Sequence, residues 1–310
     1  MVQNKKNDID NGMDNVPDQM NPNSRIDEMD SINILVTLDE NYLPPLRVML
    51  TSLFVNNPGE KIEVWLLHRS IPEIEINTLG EFCENYGAAL HPIHVDGSLF
   101  SSATANSRYP QEMYYRLLTP HLLPGSLGRV LYLDPDTMVI NPLRPLWNLE
   151  MQGFLFAAAA HTGKTEIAND VNRIRLGTEH DYFNSGVLLI DLVRGRQEID
   201  PQEVFRYAGE HKNELLLPDQ DILNGLYGSR ILEVNDVIWN YDARNYSSYF
   251  LRSAGQANID WVMQNTVILH FCGSAKPWKP LYRHRFGILY KHYMQMTAHY
   301  FSPDILNQNN

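Results

Sequence analysis

The sequence predicts an α/β fold in which helices flank a mixed, mainly parallel, Rossmann-like sheet. Short apolar runs rich in β-forming residues recur along the chain, and segments with apolar residues at helical spacing separate them. Strands that alternate with helices in this way are typical of doubly wound parallel sheets. Ligands bind to such sheets at the carboxyl ends of the strands, so we expect polar side chains that follow strands to form the functional site.

Length, charge and cysteine content limit the possible functions. At 310 residues the chain can bury a sizeable core, as one large domain or as a domain with an extension. The formal net charge of -12 argues against a general nucleic-acid binder, because phosphate neutralisation needs basic patches. Cys83 and Cys272 fit reduced cytosolic thiols better than a disulfide framework. No apolar run could span a bilayer, and no signal-peptide core follows Lys5-Lys6, so we expect a cytoplasmic protein.

The chain divides into a tail, a main domain and an extension. Residues 1–30 are polar and acidic without periodicity, and we expect a disordered tail because so little apolar surface cannot offset the ordering entropy. We expect the main domain to span residues 31–278 and a helical extension to span residues 279–310. The first predicted elements are strands at Ile32–Thr37, Ile62–Leu67 and Leu90–Val95, with helices at Pro44–Val55 and Pro72–Glu84.

The segment Arg129–Ile140 contains the strongest candidate for a metal site. Its apolar run Val130–Leu133 predicts a buried strand that leads directly into Asp134-Pro135-Asp136. Two carboxylates at the end of a buried strand cannot both be buried and unpaired, because an isolated charge in the interior is very costly. A hard divalent cation bound by both carboxylates would solve this problem. A solvated turn with a helix cap is the alternative at this stage, since Asp-x-Asp alone is common.

A second polar cluster follows the first predicted strand. Asp39, Glu40 and Asn41 come directly after that strand, as Asp134 and Asp136 come after a later one. The carboxyl ends of parallel strands meet at one rim of a sheet. Two polar clusters on the same rim favour a shared binding site.

Three further segments supply candidate residues. Arg116 is either a solvated surface residue or a cation for phosphate oxygens. Asn184 and Gly186 indicate either a close backbone approach or a plain turn. Asp219 is either a helix N-cap or, together with Gln220, a contact for sugar hydroxyls. The elements that carry or adjoin these residues are a helix at Tyr109–Leu118, strands at Phe154–Ala160 and Val187–Asp191, a surface helix or mobile loop at His161–His180, and a short helix at Ile222–Leu226.

The last predicted strand, Asn265–Leu269, ends at His270. A histidine at a strand end is most often structural, but beside two carboxylates it becomes a candidate nitrogen ligand. A mixed oxygen and imidazole set suits Mn²⁺ better than Ca²⁺. Gly273 allows a close backbone approach, and Lys276 offers a point charge for a phosphate.

The chain resembles glycosyltransferase family 8, a retaining group with the GT-A fold that includes bacterial galactosyl- and glucosyltransferases of surface glycans. The resemblance extends over about Ile32–Trp278 and rests on six motifs in family order, each weak alone but specific together. The motifs are LDENY (Leu38–Tyr42), YRLL (Tyr115–Leu118), RVLYLDPDTMV (Arg129–Val139), YFNSGVLLID (Tyr182–Asp191), LPDQDILN (Leu217–Asn224) and HFCGSAKPW (His270–Trp278).

The resemblance implies a role for each matched position. The metal, Mn²⁺ with Mg²⁺ as the alternative, would lie on the donor diphosphate. The implied metal ligands are Asp134, Asp136 and His270. The implied donor contacts are Asp39 and Asn41 for uridine, Gly273 and Lys276 for the phosphates, and Arg116, Asn184, Asp219 and Gln220 around the transferred hexose.

The implied reaction is retaining transfer of glucose or galactose from a UDP-sugar to a glycan, glycolipid or glycoprotein. The resemblance places the amide of Gln220 nearest the reacting carbon, and Asp219 would hydrogen-bond a sugar hydroxyl. Two alternatives stay open on the residues alone: a non-catalytic sugar-nucleotide or glycan-binding protein, and a metal-dependent UDP-sugar hydrolase. The pattern does not predict which hexose is moved, to which acceptor, or in which linkage.

The C-terminal extension is basic and aromatic in an otherwise acidic chain. No acidic residue occurs from Trp261 to Pro303. The pattern favours either peripheral contact with an anionic membrane, such as the inner face of the plasma membrane, or a helix docked on the main domain. The aromatic and aliphatic stripe is Phe286, Leu289, Tyr290, Tyr293 and Tyr300, and the cations among it are Arg283, Arg285 and Lys291.

Overall fold

Strands and helices alternate along the chain as predicted, in a computed structural model that describes residues 30–96, 112–160 and 166–301. The predicted tail up to residue 29, the start of the helix Tyr109–Leu118 and part of the stretch His161–His180 lie outside the described residues. The strands are β1 (Ile32–Thr37), β2 (Ile62–His68), β3 (Ala89–His94), β4 (Arg129–Leu133), β5 (Thr137–Val139), β6 (Phe156–Ala158), β7 (Val187–Asp191), β8 (Ile231–Glu233), β9 (Tyr241–Asp242) and β10 (Ile268–His270).

Helices connect most of these strands and cover both faces of the sheet. They are α1 (Leu43–Asn56), α2 (Glu73–Asn85), α3 (Glu112–Leu122), α4 (Arg144–Trp147), α5 (Glu166–Leu176), α6 (Leu192–Glu198), α7 (Pro201–Glu210), α8 (Pro218–Tyr227), α9 (Asp236–Trp239), α10 (Tyr246–Arg252), α11 (Ile259–Asn265) and α12 (Gly287–Phe301).

The central sheet has seven strands in the order β3-β2-β1-β4-β7-β6-β8. The pairs β1–β2, β2–β3, β1–β4 and β6–β8 are parallel, whereas β7 runs antiparallel to both β4 and β6. The predicted mixed, mainly parallel α/β architecture is therefore confirmed. Because β1 and β4 are parallel neighbours, the polar segments that follow them lie at the same rim.

A second, three-stranded sheet lies beyond that rim, in the order β5-β10-β9. β5 follows the Asp134–Asp136 turn, and β10 pairs with it in antiparallel register, with His270 opposite Thr137. The backbone N–H of Phe271 donates to the carbonyl oxygen of Asp136 at 3.0 Å. This pairing brings His270 beside the carboxylates of Asp134 and Asp136.

Side chains of β1 alternate between two cores, as the period of a strand requires. Ile34 and Val36 pack into a core covered by α1 and α2. Leu35 packs on the opposite face, in a core covered by α3, α7 and α8. Apolar burial on both faces explains why the centre of the strand, 34–36, is continuously apolar.

Several boundaries differ from those predicted from the pattern. β6 is shorter than Phe154–Ala160, and β10 lies further toward the C-terminus than Asn265–Leu269. Backbone pairing with neighbouring strands decides where a strand ends, and the hydrophobic pattern does not contain that information. α8 begins at Pro218, ahead of the predicted Ile222–Leu226, because proline suits the first position of a helix.

The C-terminal helix α12 packs on α1. The Thr51 and Thr297 hydroxyl groups are hydrogen-bonded at 2.7 Å, and Asn56 Nδ2 donates to Tyr293 Oη at 2.7 Å. Tyr290 and Tyr293 are buried in a core that also includes strands of the small sheet. The aromatic stripe therefore docks largely on the domain.

The opposite side of this region exposes aliphatic side chains. Leu281 and Ile288 are 81% and 80% exposed. Arg285 lies over the ring of Tyr246, with 4.2 Å between its guanidinium carbon and the ring centroid. In the part of the chain that the structure describes, no helix is long and apolar enough to cross a membrane.

Candidate active site

β4 delivers two carboxylates to the carboxyl end of the central sheet. The carbonyl oxygen of Asp134 accepts hydrogen bonds from the backbone N–H of Thr137 at 3.0 Å and from its hydroxyl group at 2.8 Å. Pro135 lies inside this tight turn, where its missing N–H leaves no donor unsatisfied. The turn places Asp136, which is 7% exposed, directly before β5.

The small sheet brings an imidazole to these carboxylates. Nε2 of His270 lies 3.3 Å from Asp136 Oδ1 and 3.8 Å from Asp134 Oδ2. One ligand atom from each of the three residues lies within 4.8 Å of the others. The three residues are buried or half-buried at the end of the sheet.

These three groups fit a divalent cation. Two carboxylate oxygens and one imidazole nitrogen form a donor set that suits Mn²⁺ or a similar ion. Neighbouring ligands at about 2.1 Å from a small divalent cation lie about 3 Å apart, and the two distances from His270 Nε2 to the carboxylates are slightly longer than this. The structure therefore has a possible metal site at the predicted residues.

The charged groups of this cluster perturb one another. Burial acts to raise the pKa of Asp136, but the charges and hydrogen bonds of His270 and Lys276 outweigh it and lower that pKa. Burial acts to lower the pKa of His270, but Cys272 and Asp136 outweigh it, and the pKa lies well above its usual value. Burial raises the pKa of Asp134 despite the opposing charge of Arg116. Strongly coupled titratable groups in a cleft are typical of a functional site.

Because Gly186 has no side chain, His270 and Asp134 can pack directly against its backbone. A Cβ atom at this position would lie 2.3 Å from His270 Cε1 and 2.6 Å from Asp134 Oδ2. The carbonyl oxygen of Gly186 also accepts from the backbone N–H of Asp134 at 2.8 Å. Gly186 thus allows the close backbone approach that the sequence left open beside a plain turn.

Arg116 is a half-buried, paired cation and not a solvated surface residue. Its Nη1 lies 2.9 Å from Asp219 Oδ2 and 3.2 Å from Asp134 Oδ1. Its guanidinium carbon lies 4.6 Å from the centroid of the Tyr132 ring. Burial acts to lower the pKa of Arg116, and the charge of Asp134 and its neighbours raises it. Its Nε is buried and has no hydrogen-bond partner among the described residues.

Asp219 is not a helix N-cap, because Leu217 occupies that position of α8. Its carboxylate pairs with Arg116 and accepts from the Ser185 hydroxyl group at 3.0 Å. The neighbouring Gln220 is 9% exposed, and its Oε1 accepts from Asn184 Nδ2 at 3.0 Å. Both side chains therefore face the segment that precedes β7.

Asp221, the third oxygen-bearing residue of this segment, has a different environment. It is fully buried, and its carboxylate pairs with Arg175 at 2.6 Å. It also accepts from Tyr182 Oη at 2.5 Å and from the backbone N–H groups of Leu216 at 2.6 Å and Leu217 at 3.1 Å. We interpret Asp221 as the residue that fastens α5 and the start of α8 to each other.

The candidate contacts for uridine, Asp39 and Asn41, follow β1. Asp39 accepts from the backbone N–H of Asn41 at 2.9 Å and caps a short 3₁₀ helix, Glu40–Tyr42. Both polar residues are exposed at the end of β1. The ring of Tyr42 contacts the ring of Trp278 with 6.3 Å between centroids. This contact places the Asp39 segment beside the end of the HFCGSAKPW motif.

Lys276 connects that motif to the cluster. Its ammonium group contacts Asp136 Oδ2 and donates to the carbonyl oxygen of Phe271 at 2.9 Å. Gly273 has a positive φ of 81°, and a Cβ there would lie 2.4 Å from Arg244 Nη1. The motif thus combines a fixed cation with a backbone conformation that favours glycine.

A cavity of about 500 Å³ brings most of the predicted residues together. Asp39, Asn41 and Lys276 are not among the described residues that line it. The predicted residues that do are Arg116, Asp134, Asp136, Asn184, Asp219, Gln220, His270 and Gly273.

Several residues at this site were not predicted. Ser185 and Arg244 line the cavity, and Arg244 is held by Asp242 at 2.7 Å. Asn240, fully buried, contacts both Asn184 and His270 at 2.9 Å. The sequence on either side of the two-residue strand β9 is rich in polar residues. This composition is unusual for a strand, and it was the signal that could have indicated functional residues here.

Comparison with known proteins identifies relatives over most of the chain. The family model described as glycosyl transferase family 8 matches residues 33–281. General stress protein A of Bacillus subtilis is 29% identical over 274 residues, covering 86% of this chain and 94% of the relative. A lipopolysaccharide 1,2-glucosyltransferase of Escherichia coli is 24% identical over 263 residues, covering 82% of this chain and 75% of the relative.

Solved structures show the same fold. The crystal structure of galactosyltransferase LgtC in complex with donor and acceptor sugar analogs superposes with a TM-score of 0.70 at 24% identity. The superposition covers 86% of this chain and 96% of the LgtC chain. The mainly parallel sheet and its flanking helices are thus shared with a structure whose complex contains both a donor and an acceptor analogue.

Proposed function

The chain belongs to glycosyl transferase family 8 and has the GT-A fold, and we propose that it is a retaining hexosyltransferase. In this proposal it moves glucose or galactose from UDP-glucose or UDP-galactose to a glycan, glycolipid or glycoprotein acceptor. We propose residues 31–278 as the catalytic domain. The observation that carries the proposal is the shared cavity, which is lined by the candidate metal ligands, an amide and a half-buried arginine.

The donor would lie between the two polar clusters of the rim. Asp39 and Asn41 are exposed at the end of β1 and offer a carboxylate and an amide to uridine. Gly273 and Lys276 would contact the diphosphate, because one permits close backbone approach and the other holds a positive charge beside Asp136. Tyr42, through its contact with Trp278, supports this arrangement by joining the two segments.

The metal would bind at Asp134, Asp136 and His270, and we propose Mn²⁺, with Mg²⁺ as the alternative. A divalent cation at this position supplies positive charge to the leaving diphosphate. Lys276 adds a second positive charge on the same side. Charges that are already in place where negative charge develops are an effective form of catalysis.

The hexose would lie against Arg116, Asn184, Asp219 and Gln220. Asp219 is held by Arg116 and Ser185, and a carboxylate fixed in this way is suited to accept from a sugar hydroxyl group. Gln220 carries an amide, which is a poor nucleophile compared with a carboxylate. We therefore propose that Gln220 stabilises the positive charge at the anomeric carbon without forming a covalent intermediate.

The proposal is tested by supplying UDP-sugars with and without Mn²⁺ and measuring thermal stabilisation and UDP release. Metal-dependent stabilisation by UDP-glucose or UDP-galactose, with UDP release that an acceptor glycan accelerates, would support transfer. Stabilisation without UDP release would favour the non-catalytic binding protein. Release that no acceptor accelerates, in a broad acceptor panel, would favour the hydrolase.

The metal assignment has its own test in Asp136→Asn. We expect Mn²⁺-dependent UDP binding to be lost while the thermal unfolding temperature stays close to that of the native chain, since the residue lies at a rim. Asp260→Asn, at an exposed position of α11, serves as the matched control. Metal-independent UDP binding of native strength in Asp136→Asn would contradict the assignment.

We also propose peripheral contact between the C-terminal region and an anionic membrane, from the cytoplasmic side. The contact surface would be the exposed Leu281 and Ile288, since the aromatic stripe is docked on the domain. An apolar groove of about 350 Å³ adjoins this surface and is lined by Met263 and Ile288, with Arg285 at its side. Basic residues beside exposed apolar ones favour anionic lipid, at about 1 kcal/mol per cation near the surface.

Flotation with anionic liposomes tests this contact. A chain that carries Leu281→Asp together with Ile288→Asp should lose liposome recovery. Ile74→Asp is the control, because Ile74 is 70% exposed on α2, away from this region in sequence. Equal recovery of the native chain and the double variant would count against the membrane proposal.

A further inference from the structure

Three side-chain amides form a hydrogen-bonded chain from the proposed catalytic amide to the metal-binding imidazole. Asn184 Nδ2 donates to Gln220 Oε1 at 3.0 Å. Asn240 Nδ2 donates to Asn184 Oδ1 at 2.9 Å. Asn240 Oδ1 lies 2.9 Å from His270 Nδ1.

Two backbone N–H groups fix the direction of this chain. The N–H of Gly186 donates to Asn184 at 2.9 Å, and the N–H of Ser185 donates to Gln220 at 3.2 Å. A backbone N–H can only donate, so the side-chain atoms that face these groups must be the amide oxygens. The orientations of Asn184 and Gln220, which are usually ambiguous between oxygen and nitrogen, are therefore determined.

The orientation of Asn184 also determines which nitrogen of the His270 imidazole carries a proton. Because Asn184 presents its oxygen, the atom of Asn240 that faces it must be the NH₂ group. The oxygen of Asn240 then faces Nδ1 of His270, and Nδ1 must carry a proton to make that contact. Nε2 of His270, the atom that faces Asp134 and Asp136, is left as the nitrogen for a cation.

Asn240 is itself held firmly. It is fully buried, and its backbone N–H donates to the carbonyl oxygen of Asp236 at 3.1 Å. It directly precedes β9, which pairs in parallel with β10 and places Tyr241 opposite Leu269. The parallel pairing keeps Asn240 beside His270.

From this geometry we infer that Asn240 is a positioning residue, which fixes the metal-binding nitrogen of His270 and couples that ligand to the orientation of Gln220. The inference rests on the proposed metal site and goes beyond it by assigning a role to a residue that contacts neither metal nor sugar. Partners that orient a metal-binding histidine typically contribute 10- to 100-fold to metal affinity.

Two substitutions separate the two halves of this role. Asn240→Ala removes the acceptor for His270 Nδ1 and the donor to Asn184, so Mn²⁺ affinity should fall about 10- to 100-fold and kcat should also fall. Asn240→Asp keeps an acceptor for Nδ1 but loses the donor. It should bind Mn²⁺ within a few-fold of the native chain while kcat still falls, because the pair formed by Asn184 and Gln220 has lost its support.

Mn²⁺ affinity is measured in the presence of UDP from the electron paramagnetic resonance signal of free Mn²⁺, with kcat and the unfolding temperature measured in parallel. The matched control is Asn57→Ala, since Asn57 is also buried and accepts from the backbone N–H of Leu143 at 2.7 Å, away from the site. It should lower the unfolding temperature and leave Mn²⁺ affinity unchanged.

The outcomes separate the inference from the function on which it rests. If the native chain binds no Mn²⁺ with UDP, the proposed metal site itself fails. If the native chain binds Mn²⁺ and Asn240→Ala binds it equally well, only the role of Asn240 is overturned. Equal loss of Mn²⁺ affinity in Asn240→Asp and Asn240→Ala also overturns it. If Asn240→Ala does not fold, the separation of Mn²⁺ affinity from kcat in Asn240→Asp decides the question.

Discussion

Gly186→Ala should disable the candidate metal site with a single added methyl group. The Cβ atom would lie 2.3 Å from His270 Cε1, 2.6 Å from Asp134 Oδ2 and 3.1 Å from Asn184 Oδ1. Nonbonded carbon atoms are separated by about 3.5 Å or more, so the imidazole must move by about 1 Å. The Asp134 carboxylate must move by a similar distance.

A shift of this size is large compared with the tolerance of metal coordination, which is about 0.2 Å in ligand distance. We therefore expect Mn²⁺ affinity to fall at least 10- to 100-fold, and a misplacement of about 1 Å typically costs about 100-fold in rate. Overpacking of a close site destabilises by about 1–3 kcal/mol, so the chain should still fold.

The assays are calorimetric titration of UDP with Mn²⁺ and thermal unfolding of the metal-free chain. Gly195→Ala is a matched control for overpacking, because its Cβ would lie 2.5 Å from Pro120 Cγ on a different element. It should lower stability by a similar amount and leave Mn²⁺ affinity unchanged. Native Mn²⁺ affinity in folded Gly186→Ala would refute the reasoning that the cluster occupies this space.

Three further outcomes are expected. Gln220→Ala should slow transfer yet leave measurable activity, whereas Asp219→Asn should chiefly weaken donor binding. Proton NMR of the fresh product should show an α linkage, and a β linkage would exclude retention. Asp221→Ala should lower the free energy of unfolding by about 3–5 kcal/mol in urea titration, because it leaves the Tyr182 hydroxyl group and the backbone N–H groups of Leu216 and Leu217 without their buried acceptor. Burial and the charge of His94 lower the pKa of His68 from 6.5. The folded chain therefore favours neutral His68, and this contribution to stability is present above pH 6.5. It is lost as the pH falls through the lowered pKa of the folded state. His68→Gln should therefore lose less stability than the native chain between about pH 7.5 and about pH 5, and an equal loss would exclude this role.

The sequence predicted those parts of the fold that local patterns determine. The continuous apolar run Val130–Leu133 and the polar residues after it identified both β4 and the rim where the site lies. The alternation of β1 side chains between two cores follows from the two-residue period of a strand. These features depend on residues that are close together in the sequence, so the side-chain pattern is sufficient to predict them.

The small sheet could not be predicted in the same way. β5, β9 and β10 are two or three residues long, and β5 pairs with β10 across more than a hundred residues of intervening chain. Strands this short have no recognisable periodicity, and their partners depend on three-dimensional packing. For this reason His270 was predicted as a ligand mainly from its motif, and Asn240, which the same sheet positions, was missed.

Both carboxylates, Asp134 and Asp136, have side-chain partners in addition to the candidate metal position. Asp134 Oδ1 accepts from Tyr132 Oη at 2.5 Å and pairs with Arg116, while its Oδ2 faces His270. Asp136 Oδ2 contacts Lys276, while its Oδ1 faces His270 at 3.3 Å. Each carboxylate thus uses one oxygen for a fixed donor and leaves the other for the shared position. Ion pairing and metal binding are therefore compatible at this site, and Arg116 and Lys276 orient the candidate ligands.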